Sequence, residues 1–291
     1  MGISLDSHSI HAYTSDSLGQ ELLRAYESFP RTTDSLLREL TLIVEKSRIR
    51  FGELKAMTLS CSEYFWSSEQ QSVPNPTQLG DALSQAFNVD CQVVSYSHSA
   101  AVHLPTTQSR VLSVSLADSC GLTLFEQGLM VSSQVCENWA HKPLPDFDWI
   151  VDGLTPVCRC GQEQCIEQYL SISGIERQYH QIVLKDKPLS IIFAGVTRGN
   201  SVDARVYRTF IDQLARSLVE PLTQLTPNYL VLSGEVVSCS HIADDLVMAL
   251  SRYIDLPLIP KSIVQQSNEF TFALGAALIS EKNNNNRFLS A

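Results

Sequence analysis

Three cysteines fall within eight residues, Cys158-Arg159-Cys160-Gly161-Gln162-Glu163-Gln164-Cys165, and His141 precedes them on a turn-like stretch. Three thiolates and an imidazole satisfy a tetrahedral Zn²⁺ ion. A Cys-x-Cys pair can clasp one ion from consecutive turn positions, Gly161 lets the chain bend back, and Cys165 is expected to open a helix whose N-terminal dipole favours a thiolate. Cysteines that merely pack would sit among apolar neighbours, whereas Arg159, Gly161, Gln162 and Glu163 are poor core residues. The expected ligand set is therefore His141, Cys158, Cys160 and Cys165. Four protein ligands leave no coordination position for water, so the expected role of Zn²⁺ is structural.

The segments that must position this cluster show two similar patterns. Ile3-Ser4-Leu5, a polar turn over Asp6 to Ser9, Ile10 to Thr14 and a third stretch from Gln20 to Tyr26 predict an antiparallel meander. Thr33 to Arg50 carries Leu36, Leu37, Leu40, Ile43 and Val44 at helical spacing, with Asp34 as the expected N-cap and Gly52 past the end. Strand-like Met57-Thr58-Leu59, a helix over Thr77 to Phe87 and strand-like Gln92-Val93-Val94 follow, which predicts a first α/β domain over residues 1–105. A second meander comes from Val111 to Leu116, Leu122 to Phe125, a turn at Gln127-Gly128 and Leu129 to Val131. Within Val202 to Leu225, Val206, Phe210, Leu214 and Leu218 recur four residues apart and predict a long core-facing helix that Pro221 bends. A buried strand over Tyr229 to Leu232 and helices over Ser240 to Tyr253 and Thr271 to Ile279 complete the pattern, with the second domain expected over 106–270. The run Asn283 to Asn286 has no apolar period, and 283–291 reads as a flexible tail.

Composition narrows the function classes. The chain has 291 residues, 44% hydrophobic and 18% charged, enough for two cores. With 21 Lys and Arg against 31 Asp and Glu the formal net charge is -10, which offers no counterions to a phosphate backbone, so no nucleic-acid partner is expected. Apolar runs such as Ile191-Ile192-Phe193-Ala194 are far shorter than the roughly 20 residues a bilayer needs, and no membrane partner is expected. The first residues lack a basic and an apolar export region, so a cytoplasmic location is expected, with the eight cysteines reduced or metal-bound.

His141, the Cys158-Arg159-Cys160-Gly161 knuckle, Cys165-Ile166-Glu167-Gln168-Tyr169-Leu170-Ser171 and Gly174-Ile175-Glu176-Arg177 together resemble the zinc signature of the ROK family of bacterial sugar kinases and sugar-responsive repressors. The similarity extends through Gly199 to Ala204, Leu230 to Gly234 and Leu274 to Leu278. It implies a two-domain α/β fold of the actin/hexokinase (ribonuclease H-like) type, with the closing helix, here 271–282, returning to the first domain. Repressor members carry an N-terminal helix-turn-helix; this chain opens on a strand, so the repressor arrangement is not expected. The resemblance also implies a homodimer and a small-molecule sugar as partner.

Phosphoryl transfer needs backbone N–H groups around the phosphates and a base at the sugar hydroxyl. Where the family has Asp-x-Gly-Gly-Thr, this chain has Asp6-Ser7-His8-Ser9-Ile10, which replaces both glycines and favours an ordinary hairpin turn. Where the family has Gly-Thr-Gly-x-Gly-Gly-Gly, it has Ala117-Asp118-Ser119-Cys120-Gly121-Leu122-Thr123, and a third glycine cluster is reduced to Ser233-Gly234-Glu235. The surviving nucleotide-binding candidates are Asp6, Gly121 and Gly234. The catalytic Asp of the family's Asn-Asp-Ala-Asn-Ala-Ala stretch corresponds to Ser97 or His98, of which only His98 could serve as a base. The Glu ahead of the zinc histidine becomes Asn138, whereas Glu167 and His141 match the sugar-contact positions, giving Glu167, His141, Asn138 and Ser97 as sugar-binding candidates. The expected function is a catalytically impaired sugar-binding or regulatory protein. The alternative is an active hexose or N-acetylhexosamine kinase using His98, ATP and Mg²⁺.

Overall fold

Two five-stranded sheets of the same topology organise the chain, each in its own unit. In the computed structural model, residues 1–6, 8–16, 20–28, 33–62, 75–102 and 109–289 are described, the side chains of 33–34 and 282–289 excepted. Of the residues singled out above, Ser7, the side chain of Asp34 and residues 290–291 therefore lie outside the described set. One unit comprises Met1–Leu104 and Asn268–Ala291, the other Pro105–Ser267.

In the first unit, β1 (Gly2–Leu5), β2 (Ser9–Ser15) and β3 (Glu21–Ser28) form the antiparallel meander. Strands β4 (Met57–Cys61) and β5 (Cys91–Ser95) extend the sheet in parallel, in the order β3-β2-β1-β4-β5. Helix α1 (Thr33–Phe51) and α2 (Pro76–Phe87) cover one face, where Leu36, Leu40, Leu79 and Leu83 meet Ile3, Leu5 and Leu59. Pro76 occupies the first turn of α2 and the Asn75 side chain accepts from Thr77 N, so the helix starts one residue before the expected Thr77. Alternate residues of the central strands are small, and α10 (Thr271–Leu289) lies directly on them. A Cβ on Gly2 would sit 2.1 Å from the Ala273 carbonyl oxygen, and Ser280 Oγ donates to Met1 O at 3.0 Å. This close approach demands glycine, serine and alanine rather than bulky residues. A short helix α3 (Tyr96–Ala100) follows β5, capped by the Ser95 side chain on His98 N.

The second unit repeats the plan. Strands β6 (Arg110–Leu116), β7 (Cys120–Glu126) and β8 (Leu129–Val131) form its meander. Strands β9 (Tyr229–Ser233) and β10 (Ser262–Gln266) run parallel to β6, in the order β10-β9-β6-β7-β8. Helix α8 (Ser201–Leu225) buries Val206, Phe210, Leu214 and Leu218 in the core, and Asn200 caps it by accepting from Val202 N and Asp203 N. Between β8 and α8 lie a 3₁₀ turn (Trp139–His141), α4 (Trp149–Asp152), α5 (Glu167–Leu170), α6 (Ile172–Val183) and α7 (Leu189–Thr197). Helix α9 (Ile242–Leu250) follows β9.

Three expectations are corrected. The tail expected at 283–291 is helical through Leu289, as a continuation of α10. The helix expected from Cys165 begins only at Glu167 and ends after four residues, where Ser171 turns to an extended conformation and its side chain caps α6 through Gly174 N. The helix expected over Ser240 to Tyr253 is confined to Ile242–Leu250. Among the described residues, no helix is long and apolar enough to cross a membrane.

Candidate metal centre and binding residues

The four predicted ligands are brought together. One ligand atom from each of His141, Cys158, Cys160 and Cys165 lies within 4.8 Å of all the others. The Cys160 and Cys165 sulfurs are 3.5 Å apart, and Cys158 Sγ is 3.5 Å from His141 Nδ1. With Zn–S bonds of about 2.3 Å the edge of a tetrahedron is about 3.8 Å, so the donors fit one ion in both chemistry and spacing.

The local backbone explains the convergence. Cys158 N donates to Gln162 O and Gly161 N to Cys158 O, both at 2.8 Å, which folds the Cys-x-Cys segment into a tight turn with Gly161 at φ 82°. Cys165 pairs with Pro143 in an isolated antiparallel bridge, flanked by Leu144 N to Gln164 O at 2.8 Å and Ile166 N to Lys142 O at 3.0 Å. That bridge sets Cys165 beside the 3₁₀ turn carrying His141.

Burial pushes the thiols of Cys158 and Cys165 above the ordinary cysteine value, and Cys165, ahead of the four-residue α5, does not receive the lowering expected from a helix N-terminus. Exposed Cys160 also loses some hydration, but hydrogen bonds from the Gln162 backbone and the sulfurs of Cys165 and Cys158 take it below that value. His141 is lowered by burial and by the neighbouring Arg159 charge, which keeps its imidazole neutral, the form that ligates metal. Binding an ion here must release the protons of the two buried thiols.

Glu167, the first residue of α5, is 3% exposed, and its Oε1 lies 3.6 Å from Arg159 Nη2. Asn138 is exposed at φ 53°, a left-handed conformation that asparagine tolerates, and its carbonyl starts the turn by accepting from His141 N at 2.9 Å. Glu167, His141 and Asn138 belong to the second unit, whereas Ser97 and His98 belong to the first. Ser97 is buried, with its hydroxyl 3.1 Å from Ser95 Oγ. Burial lowers the His98 pKa to about 4.

The three nucleotide-binding candidates all carry local structural roles. Asp6 Oδ1 accepts from His8 N at 2.7 Å and Ser9 N at 2.6 Å, while Oδ2 accepts from Ser9 Oγ at 2.7 Å, so the carboxylate closes its own β1–β2 turn. Gly121 lies inside β7, paired with Ser115, rather than in the preceding turn. That turn is only Ala117 to Ser119, closed by Ala117 N to Ser119 O at 3.0 Å. Gly234 adopts φ 104° where a Cβ would come 2.3 Å from the Leu116 carbonyl oxygen.

Sequence reasoning assigned nothing to Arg159 although it quoted the residue within the knuckle. It also missed the buried pair of Asp152 and Arg216, and Asp203, which is fully buried with both carboxylate oxygens 2.7 Å from Lys187 Nζ. The position of Asp203 just inside a helix capped by Asn200 was the one available signal for the last of these.

A pair of equivalent meander sheets and a three-cysteine, one-histidine cluster define a class of duplicated α/β proteins with a candidate metal site. Residues 56–283 match the profile of the ROK family, and the chain belongs to that family. It is 30% identical over 161 residues to an N-acetyl-D-glucosamine kinase of Yersinia enterocolitica, a match covering 52% of this chain and 53% of the relative. The chain thus spans about half the length of the curated relatives it matches. In fold it is similar to a ROK glucokinase from Streptomyces griseus solved with glucose and AMPPNP, at a TM-score of 0.77 and 16% identity over 97% of this chain and 98% of that one. A ROK hexokinase from Thermus thermophilus gives a TM-score of 0.74 and 17% identity, covering 98% of each chain. These likenesses show the two-domain hexokinase-like fold.

Proposed function

We propose that this chain is a sugar-binding ROK protein impaired in phosphoryl transfer, with a structural zinc centre. The observation that carries the proposal is the Asp6 carboxylate, both of whose oxygens are engaged by His8 and Ser9 of its own turn, where the family's phosphate loop would need glycine backbone donors. Gly234 is required by its approach to Leu116, and Gly121 is a strand residue, so neither needs a nucleotide to account for it. His98, lowered to about 4, is a weak acceptor for a hydroxyl proton at neutral pH.

Zn²⁺ on His141, Cys158, Cys160 and Cys165 would cross-link the insert and supply folding free energy. All three cysteines must be reduced to ligate it, which supports a cytoplasmic location. Glu167 is the sugar carboxylate in this reading, with His141 Nε2 and Asn138 beside the same turn, and Ser97 is a separate candidate within the first unit.

The second reading, an active ATP- and Mg²⁺-dependent hexose or N-acetylhexosamine kinase using His98, is favoured by the 30% identity to N-acetyl-D-glucosamine kinases. One experiment separates the two: calorimetry of the zinc-loaded protein with N-acetyl-D-glucosamine and glucose, beside a coupled ADP-release assay with ATP and Mg²⁺. Sugar heat without turnover is expected. Turnover of about 1 s⁻¹, the low end of ordinary enzymes, overturns the impaired reading, and its loss in His98→Ala would identify the base.

A homodimer belongs to the same proposal. Helix α8 spends its apolar stripe on the core and leaves none for an interface. Trp149, Ile150, Val151, Leu154 and Val157 are each 59–69% exposed on one short stretch, and two such strips facing each other can bury on the order of the 1,000 Å² that a stable interface requires.

A further inference from the structure

We propose that Arg159 is a positioning residue for the Glu167 carboxylate, held at its station by the metal-binding turn on either side of it. The inference rests on the reading of Glu167 as the sugar carboxylate and adds to it the group that orients that carboxylate.

Arg159 stands between two ligands, Cys158 and Cys160, in the turn closed by Cys158 N to Gln162 O and Gly161 N to Cys158 O. Glu167 stands two residues beyond the third cysteine ligand, Cys165, whose backbone is pinned by its bridge to Pro143. The two charged residues therefore lie on the two arms of one short loop. Those arms are drawn together by the sulfur contact of Cys160 Sγ to Cys165 Sγ at 3.5 Å and by the contacts of Cys158 Sγ and Cys165 Sγ with His141. An ion shared by these sulfurs would fix the distance from Arg159 to Glu167.

A carboxylate that is 3% exposed has given up most of its hydration, a cost that a nearby cation offsets. Arg159 Nη2 lies 3.6 Å from Oε1, a charge–charge approach rather than a bidentate hydrogen-bonded fork. At that separation the guanidinium sets where the negative charge of Glu167 rests. The zinc knuckle then does two things: it stabilises the insert, and through Arg159 it tunes sugar affinity.

The test uses the zinc-loaded full chain, calorimetry with N-acetyl-D-glucosamine and glucose, and metal analysis of every variant. Arg159→Gln leaves all four ligands in place, so it should retain one zinc per chain while weakening sugar binding by about tenfold or more. Arg159→Lys should regain much of that loss, because the contact is one of charge. In a Glu167→Gln background Arg159→Gln should have no further effect on affinity. Melting temperatures of the two single variants and the double variant should be non-additive, a readout that needs no ligand.

Unchanged affinity in Arg159→Gln beside lost affinity in Glu167→Gln overturns the positioning role and leaves the sugar reading standing. Strictly additive melting temperatures, or loss of zinc from Arg159→Gln, also overturn the positioning role. Absence of sugar heat in the wild-type protein, or full affinity in Glu167→Gln, overturns the sugar reading and the positioning role with it.

Discussion

Asp152 and Arg216, 64 residues apart in the chain, form a buried ion pair with Oδ1 and Nη2 separated by 2.5 Å. Asp152 also accepts from Gln213 Nε2 at 3.1 Å and from Asp148 N at 2.9 Å. Arg216 donates as well to the carbonyls of Pro145 and Asp146, at 2.6 and 3.1 Å. The pair thus fastens residues 145–152, just beyond His141, onto α8. Arg216 would keep Asp212, at 3.0 Å from its Nε, as a carboxylate partner, so Asp152→Ala should cost less than breaking an isolated buried pair, about 2–3 kcal/mol. Urea unfolding measures it, and a loss below about 1 kcal/mol would show the pair to be unimportant.

Replacing Cys160 by Ser removes the most exposed thiol ligand with little change in volume. Zinc content should fall from one ion per chain, and the melting temperature should fall with it, because ion binding adds to folding free energy. Metal analysis of protein purified without a histidine tag decides the point; full occupancy in the variant would sink the ligand assignment. A chelator should lower the melting temperature of the wild type and leave that of Cys160→Ser nearly unchanged.

His98 gives a pH dependence of defined sign. Unfolded, its imidazole takes up a proton near pH 6.5; folded, burial delays this to about pH 4. The unfolded state binds more protons in that interval, so the contribution is complete above about pH 6.5 and is lost as pH falls towards 4. Each pKa unit is worth about 1.4 kcal/mol, which makes the total roughly 2–3 kcal/mol after allowance for partial solvent access. His11 and His141 are also lowered by burial, so the diagnostic is a difference: wild type minus His98→Gln in urea midpoints from pH 4 to 8. A flat difference would contradict the burial of this imidazole.

The exposed strip from Trp149 to Val157 predicts the behaviour of the protein in solution. Light scattering should report a dimer at micromolar concentration, and Ile150→Glu, which adds a charge where two strips would meet, should convert it to a monomer whose melting temperature no longer depends on protein concentration. A wild-type monomer would remove the dimer.

Much of the architecture was legible because it is written in local periodicity. The α1 pattern of Leu36, Leu40, Ile43 and Val44 and the α8 pattern of Val206, Phe210, Leu214 and Leu218 both mark helix faces that are buried. The two meanders were readable because strands β1, β2, β6 and β7 are apolar and bounded by polar turns. Strand β10 was not, since Ser262-Ile263-Val264-Gln265-Gln266 is a partly buried edge strand with no clean alternation, and its pairing with β9 is decided across the sheet.

The sequence by itself determined the cysteine part of the candidate metal cluster, because ligand type and short spacing are local properties: Cys158, Cys160 and Cys165 lie within eight residues, whereas His141 is set beside them by the Pro143–Cys165 bridge. It also determined that the phosphate-loop glycines are replaced. Tertiary structure alone decided which charges meet. A carboxylate or guanidinium carries no record of its partner in its neighbours along the chain, so the pairing of Asp152 with Arg216 and the pressure of Leu116 on Gly234 arise only when distant segments are packed together.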